Sequence, residues 1–228
     1  MIDSAEVIWR YLVFDAQLRR MKDVVLQPCV QVLTAASVSP AAVTAASLCA
    51  GVAAAFLAAA GNWTWAVIAW LVNRLLDGLD GPLARHTSTV SDIGGYLDIM
   101  ADFTVYASLP LGIAAGTSGI FPVGQTPLIA PWIAAGSLLA ACYINAASWM
   151  YISALMEKSR SLSGGDAHTS VNMPRGIIEG AETILFFTAA LVLPQYAVVI
   201  LGVFAGLTLF TAAHRTVTWS VREQRRLK

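Results

Sequence analysis

The sequence predicts an all-α membrane protein of six transmembrane helices with an N-terminal amphipathic interfacial helix. Three observations carry that prediction. Hydrophobic residues make up 57% of the 228 residues and charged residues 12%, against roughly 45–50% and about 25% in soluble domains. Six long apolar segments stand near 38–60, 64–85, 92–116, 129–155, 174–193 and 196–218, each close to the roughly 20 residues needed to cross a bilayer. The charges alternate between connections: 61–63, 117–128 and 194–195 hold no Lys, Arg, Asp or Glu, whereas the N-terminal stretch, 85–92, 156–175 and the C-terminal tail hold nearly every basic residue.

Residues 1–28 form the first predicted element. Val7, Ile8, Tyr11, Leu12, Phe14, Leu18 and Met21 give one apolar face, with Arg10, Arg19, Arg20 and Lys22 clustered elsewhere. Such a helix lies in the membrane interface or packs on the cytoplasmic loops. The stretch lacks the charge-then-apolar-run pattern and small-residue cleavage site of a secretory signal peptide. Residues 29–228 are expected to form one six-span domain. Pro40, Pro131 and Pro174 stand near predicted helix starts, where a missing backbone N–H costs little. The polar, glycine-paired segment 158–173 reads as a flexible loop.

Basic residues favour the cytoplasmic face. Both termini are therefore expected inside, with six crossings of the cytoplasmic membrane between them. Zero formal net charge gives no overall field to attract nucleic acid. Cys29, Cys49 and Cys142 stand singly in apolar surroundings and are expected to be small buried hydrophobes. The tryptophans are expected to serve mainly as interface anchors, with Trp63, Trp65 and Trp132 near the outer face. His86, His168 and His214 have no partner constellation.

The informative stretch runs Asp77-Gly-Leu-Asp80-Gly81-Pro-Leu-Ala84-Arg85 and continues Gly94-Gly-Tyr-Leu-Asp98-Ile-Met-Ala-Asp102. Ionised Asp in hydrocarbon costs several kcal/mol unless paired, hydrated or bound to metal. Asp77 and Asp80 are three apart, Asp98 and Asp102 four apart, so each pair shares one helical face. The two spans are joined by a short connection and are expected side by side and antiparallel, bringing the four carboxylates together at the inner end. Asp92, in the connection, is expected to cap the next helix. Four like charges so close repel one another unless a cation sits between them. Oxygen-only ligands favour Mg²⁺, Mn²⁺ or Ca²⁺ over zinc. Gly81 and Gly94 leave room for a ligand to approach backbone, and Arg85 suits a phosphate. On chemistry alone these residues fit a phosphate-and-metal site, an ion or proton path in a transporter or channel, or a helix-holding ion-pair network.

The pattern D-x-x-D-G-x-x-A-R-x8-G-x3-D-x3-D resembles the signature of the CDP-alcohol phosphotransferase family at every specified position: Asp77, Asp80, Gly81, Ala84, Arg85, Gly94, Asp98 and Asp102. The resemblance implies transfer of a substituted phosphate, usually phosphatidyl, from a CDP-alcohol such as CDP-diacylglycerol to an acceptor alcohol, with release of CMP. It implies two divalent ions, Mg²⁺ or Mn²⁺, held by Asp77, Asp80, Asp98 and Asp102, with Asp102 also acting as general base. Asp77, Asp80, Gly81, Ala84, Arg85 and Gly94 would bind the CDP group. It also implies a homodimer and an acceptor such as glycerol phosphate, inositol phosphate, serine or a lipid alcohol.

Outside the motif, Lys158, Arg175 and Arg215 are the candidates to meet a phosphorylated acceptor. Arg175, Glu179 and Glu182 share a face and either line that pocket or, as an Arg175–Glu179 pair, satisfy themselves at the interface. Arg74, one turn before Asp77, is expected to balance the acidic cluster. Asn73 and Asn145 are expected to hydrogen-bond between helices.

Overall fold

The computed structural model describes residues 25–119, 128–162 and 180–226. Among them the chain is helical and no strand occurs. The interfacial helix predicted over 1–28 lies mostly outside the described residues, as do Arg175, Glu179, His168 and Pro174. The helices are α1 (Val25–Ala35), α2 (Pro40–Ala59), α3 (Trp63–His86), α4 (Asp92–Thr117), α5 (Ala130–Leu162), α6 (Gly180–Val192) and α7 (Ala197–Arg226). A 3-10 turn, Pro194–Tyr196, leads into α7.

Local chemistry sets the boundaries. Ser39 caps α2, its hydroxyl accepting from the Ala42 N–H at 3.2 Å, and Pro40 follows in the first turn. At the far end Gly61, at φ 72°, closes α2 in a Schellman turn: Gly61 N–H donates to Ala58 O and Asn62 N–H to Leu57 O. The same pair of bonds ends α1 and α3, but there Ser37 (φ 56°) and Ser88 (φ 55°) take the left-handed position that glycine usually fills. The cap of α4 is Ser91, whose Oγ accepts from Gly94 N–H at 3.1 Å. Asp92, expected as that cap, instead occupies the first turn, where the helix dipole favours an acid.

Among the described residues four stretches are long and apolar enough to cross a membrane: α2, α4, Ala130–Lys158 within α5, and Pro194–Gln224 around α7. The other two predicted spans differ for physical reasons. Helix α3 has the length but carries Arg74, Asp77, Asp80 and Arg85 in its second half. Helix α6 is apolar but is described over only 13 residues.

Helices α3 and α4 both pack closely on α2, while α5 pairs with α7, and α6 lies against α3 and α7. The α2–α4 contact is made by small residues: a Cβ on Gly112 would run into the Ala55 carbonyl, and one on Gly116 into that of Ala58. The expectation that α3 and α4 lie side by side needs correction. Their backbones approach α2 far more closely than each other, and side chains span the gap between them. Asn73, fully buried, ties α3 to α2 by donating to Ser47 O at 2.8 Å and Ser47 Oγ at 2.9 Å. Asn145 likewise joins α5 to α7 through Arg215.

An aromatic chain fills the centre. Phe187 of α6 meets Trp70 of α3 at 5.5 Å, Tyr106 of α4 at 5.9 Å and Phe204 of α7 at 5.4 Å between ring centroids. Trp70 is therefore a core residue rather than an interface anchor, and its indole N–H donates to Thr188 Oγ1 at 2.9 Å. The cysteines also depart from expectation: Cys29 and Cys49 are exposed on the helix surface and Cys142 is half-buried. An apolar thiol on a helix that faces lipid needs no burial in protein.

Candidate active site

Helices α3 and α4 each pack on α2 rather than on each other, and the gap this leaves between the second half of α3 and the first half of α4 is the candidate cleft. The i, i+3 and i, i+4 spacings turn Asp77 and Asp80, and Asp98 and Asp102, to single faces. Asp80 is the deepest, 7% exposed. Its Oδ2 accepts from the Thr44 hydroxyl of α2 at 2.7 Å and its Oδ1 from Gly81 N–H at 2.6 Å. That pairing offsets the cost of burying the carboxylate and fixes its direction.

Asp77 and Asp102 are half-buried, neighbours across the gap, and Asp98 lies within electrostatic reach of Asp77. Arg74 bridges the first two. Its Nη1 stands 3.5 Å from Asp77 Oδ2 and its Nη2 3.0 Å from Asp102 Oδ1. The guanidinium is held in place by Nε donating to Asn73 Oδ1 at 2.7 Å and Nη1 donating to Tyr106 Oη at 2.9 Å. It also lies over the Trp70 and Tyr106 rings, at 4.7 and 5.2 Å. Arg74 thus has the balancing role expected of it, with more partners than its spacing suggested.

The rest of the motif frames the opening. Arg85 is exposed and folds back over Gly81, where a Cβ would stand 3.4 Å from its Nη1. A Cβ on Gly94 would meet only the Ser91 Oγ, at 3.2 Å, and one on Gly95 nothing within 4 Å. Protein packing therefore does not demand glycine at 81 or 95, and only mildly at 94. Ala84 is half-buried one turn beyond Asp80.

Four oxygen-donor carboxylates on two walls of one cleft suit a hard divalent cation by donor chemistry. Their side chains are not gathered into a ready-made cage. Among the described residues no group of three His, Cys, Asp or Glu side chains stands close enough to hold a metal ion. Asp80 points to Thr44, and Arg74 supplies the positive charge between Asp77 and Asp102.

Of the acceptor candidates, Lys158 is exposed at the end of α5. Arg215 is buried, its Nη1 donating to Asn145 Oδ1 at 2.8 Å and Ser148 Oγ at 2.9 Å. Glu182 is half-buried in the first turn of α6, and Arg175 lies outside the described residues. Two site residues escaped the sequence reading. Tyr106 continues the four-residue spacing of Asp98 and Asp102, a signal that could have found it. Thr44 carries no sequence signal, because its role depends on how α2 packs behind α3.

The sequence profile of the CDP-alcohol phosphatidyltransferase family matches residues 37–213. The chain belongs to that family, whose reaction moves a phosphatidyl group from a CDP-alcohol to an acceptor alcohol in phospholipid synthesis. It is 34% identical to the inner membrane protein YnjF of Escherichia coli K12 over 195 residues, 86% of this chain and 88% of the other. A shorter match, 47% over 55 residues, covers 24% of this chain and 29% of the archaetidylinositol phosphate synthase of Pyrococcus horikoshii. In fold it is similar to the phosphatidylinositol phosphate synthase of Mycobacterium tuberculosis. The crystal structure with manganese and citrate gives a TM-score of 0.62 at 23% identity, covering 84% of this chain and 87% of that one. The structure with CDP-DAG bound gives 0.61 at 23%, covering 87% and 93%.

Proposed function

We propose that the chain transfers a phosphatidyl group from CDP-diacylglycerol to a phosphorylated polyol, glycerol phosphate or inositol phosphate, at a cytoplasmic site between α3 and α4. The observation that carries this reading is that Arg74 joins Asp77 of α3 to Asp102 of α4, with the buried Asp80 one turn further along α3 and Arg85 lying against Gly81. Related proteins support the same reading: the Mycobacterium tuberculosis phosphatidylinositol phosphate synthase has been solved with manganese and with CDP-DAG, and the partly matching relative from Pyrococcus horikoshii is an archaetidylinositol phosphate synthase.

In this reading Asp77, Asp80, Asp98 and Asp102 would hold two divalent ions, Mg²⁺ or Mn²⁺, which when bound would supply positive charge to offset that of the pyrophosphate and of departing CMP. Arg85 pairs with the phosphates, and Gly81, Ala84 and Gly94 leave space for the nucleotide. Asp102 takes the proton from the acceptor hydroxyl as its oxygen attacks the β-phosphorus. A P–O bond to the acceptor forms, the bond to CMP breaks, and CMP leaves with the pair. Lys158, Arg175 and Arg215 are assigned to the acceptor side, where the phosphate of the polyol would need cations.

The same proposal places six helices across an inner membrane, α2 to α7, with residues 1–28 as an interfacial helix, residues 29–228 as the catalytic domain, both termini cytoplasmic, and two copies in a homodimer. Helix α3, at 24 residues, spans about 36 Å at 1.5 Å per residue, enough for the roughly 30 Å hydrocarbon core. Its charges then fall at the inner end.

The test is CMP release by purified protein given CDP-diacylglycerol, Mg²⁺ or Mn²⁺, and glycerol phosphate, inositol phosphate, serine or a lipid alcohol singly. Release stimulated by one phosphorylated polyol is expected. Release only with serine or a lipid alcohol would overturn the acceptor, and none with any alcohol would overturn the donor or the enzyme reading. Ion flux in proteoliposomes without CMP release would favour a transporter.

A further inference from the structure

Arg74 lies outside the motif yet contacts two motif-cleft carboxylates, Asp77 and Asp102, together with Asn73, Tyr106 and the Trp70 ring. It is a cation on the cleft wall, 7% exposed, engaging one oxygen of Asp77 and one of Asp102. Two aromatic faces and the Asn73 and Tyr106 oxygens fix its plane. Those partners reach from α3 to α4, whose backbones otherwise have little contact. Removing any charge from such a crowded acidic group changes how strongly it attracts another cation.

We propose that Arg74 is a positioning residue of the phosphotransfer site, a resident cation that orients Asp102 and Asp77 and competes with divalent metal for them. The proposal rests on the reading of these carboxylates as metal ligands. Fixed by its clamp, the guanidinium takes Asp77 Oδ2 and Asp102 Oδ1 and leaves the second oxygen of each outside the ion pair. It therefore weakens metal binding by charge while holding Asp102 in the direction its role as base requires. A residue with a merely structural role would lower metal affinity and turnover together when removed. A competing, orienting cation moves them in opposite directions.

The test uses the full-length protein in detergent, with Mn²⁺ binding followed by electron paramagnetic resonance in the absence of substrates, and with kcat measured separately. Arg74→Met keeps length and packing but removes charge. It is expected to bind Mn²⁺ at least about fivefold more tightly while kcat falls by at least about tenfold. Arg74→Lys restores the charge without the planar fork, so Mn²⁺ affinity returns toward the native value while kcat stays low. Tyr106→Phe removes one hydroxyl and little volume, so it carries the test should Arg74→Met fail to fold. It is expected to shift both readouts in the Arg74→Met directions by about twofold to threefold. Wild-type Mn²⁺ binding that the variants leave unchanged or weaken would overturn this proposal alone. A wild-type protein that binds no Mn²⁺ would overturn it together with the metal reading of the carboxylates.

Discussion

At the scale of single residues, the proposed reading gives Asp102 the part of base and Thr44 the part of a residue that aims a carboxylate. Asp102 is half-buried and reaches the cleft, so Asp102→Asn should cost about 10²- to 10⁴-fold in kcat, the usual worth of a general base. Helix content and extraction behaviour should stay native; retained turnover would remove Asp102 from that role. Thr44 tests the other category. Its hydroxyl donates to the buried Asp80 carboxylate at 2.7 Å, and hydrogen bonds to charged groups contribute about 1.5–3 kcal/mol. Thr44→Val is nearly the same shape, so it should raise the apparent KM for the CDP-lipid or the metal requirement by about tenfold or more without lowering the thermal midpoint by more than a few degrees. Unchanged kinetics would mean that the Thr44 hydroxyl is not what fixes Asp80. The acidic motif was legible because it is local: spacing along two helices fixes which carboxylates share a face. Thr44 was not, since contact between residues 44 and 80 depends on the packing of α2 behind α3. Nor could spacing show that Arg74 stacks between two rings on different helices.

At the scale of elements, the cleft exists because α2 receives α3 and α4 separately. The α4 contact depends on close backbone approach at Gly112 and Gly116, the kind of small-residue packing that associates helices where lipid removes the hydrophobic driving force. Gly116→Ala puts a Cβ against the Ala58 carbonyl and the Trp63 ring. Overpacking typically costs about 1–3 kcal/mol, so its thermal midpoint in detergent should fall clearly. Gly136→Ala, where a Cβ on α5 meets nothing within 4 Å, should be neutral or slightly stabilising by helix propensity. Equal effects at the two positions would mean that α4 does not lean on α2 this tightly. Apolar runs and caps revealed most helix positions within a few residues. They could not reveal that α3 and α4 stand apart, because a short connection limits the distance between helix ends but not the angle at which the helices diverge. The buried Trp70 and exposed Cys49 mark a related boundary: residue type predicts depth in water-soluble cores better than it predicts which helix faces lipid and which faces protein.

For the whole molecule, the decisive question is whether α3 crosses the membrane with its acids at the inner end. Hydropathy does not select α3, because Arg74, Asp77, Asp80 and Arg85 dilute the average, yet the charges are segregated. From Trp63 to Asn73 the helix is uncharged, and every charge lies toward the α3–α4 connection. A helix that carries all its charges in one half can turn them into a polar cleft open at that end, avoiding most of the cost of ionised groups in hydrocarbon. The proposed direction rests on the uncharged α2–α3 connection and on Arg85 at the α3–α4 end, through the preference of Lys and Arg for the cytoplasm. Single cysteines can check this. After Cys29, Cys49 and Cys142 are replaced by serine or alanine, Asn62→Cys lies in the α2–α3 connection and Val90→Cys in the α3–α4 connection, both exposed. A membrane-impermeant maleimide should label position 62 in intact spheroplasts and position 90 only after permeabilisation. The reverse pattern would put the carboxylates outside, where cytoplasmic CDP-lipid headgroups could not reach them. Labelling of both from one side would mean that α3 does not cross, and the cleft between α3 and α4 would then open along the membrane surface.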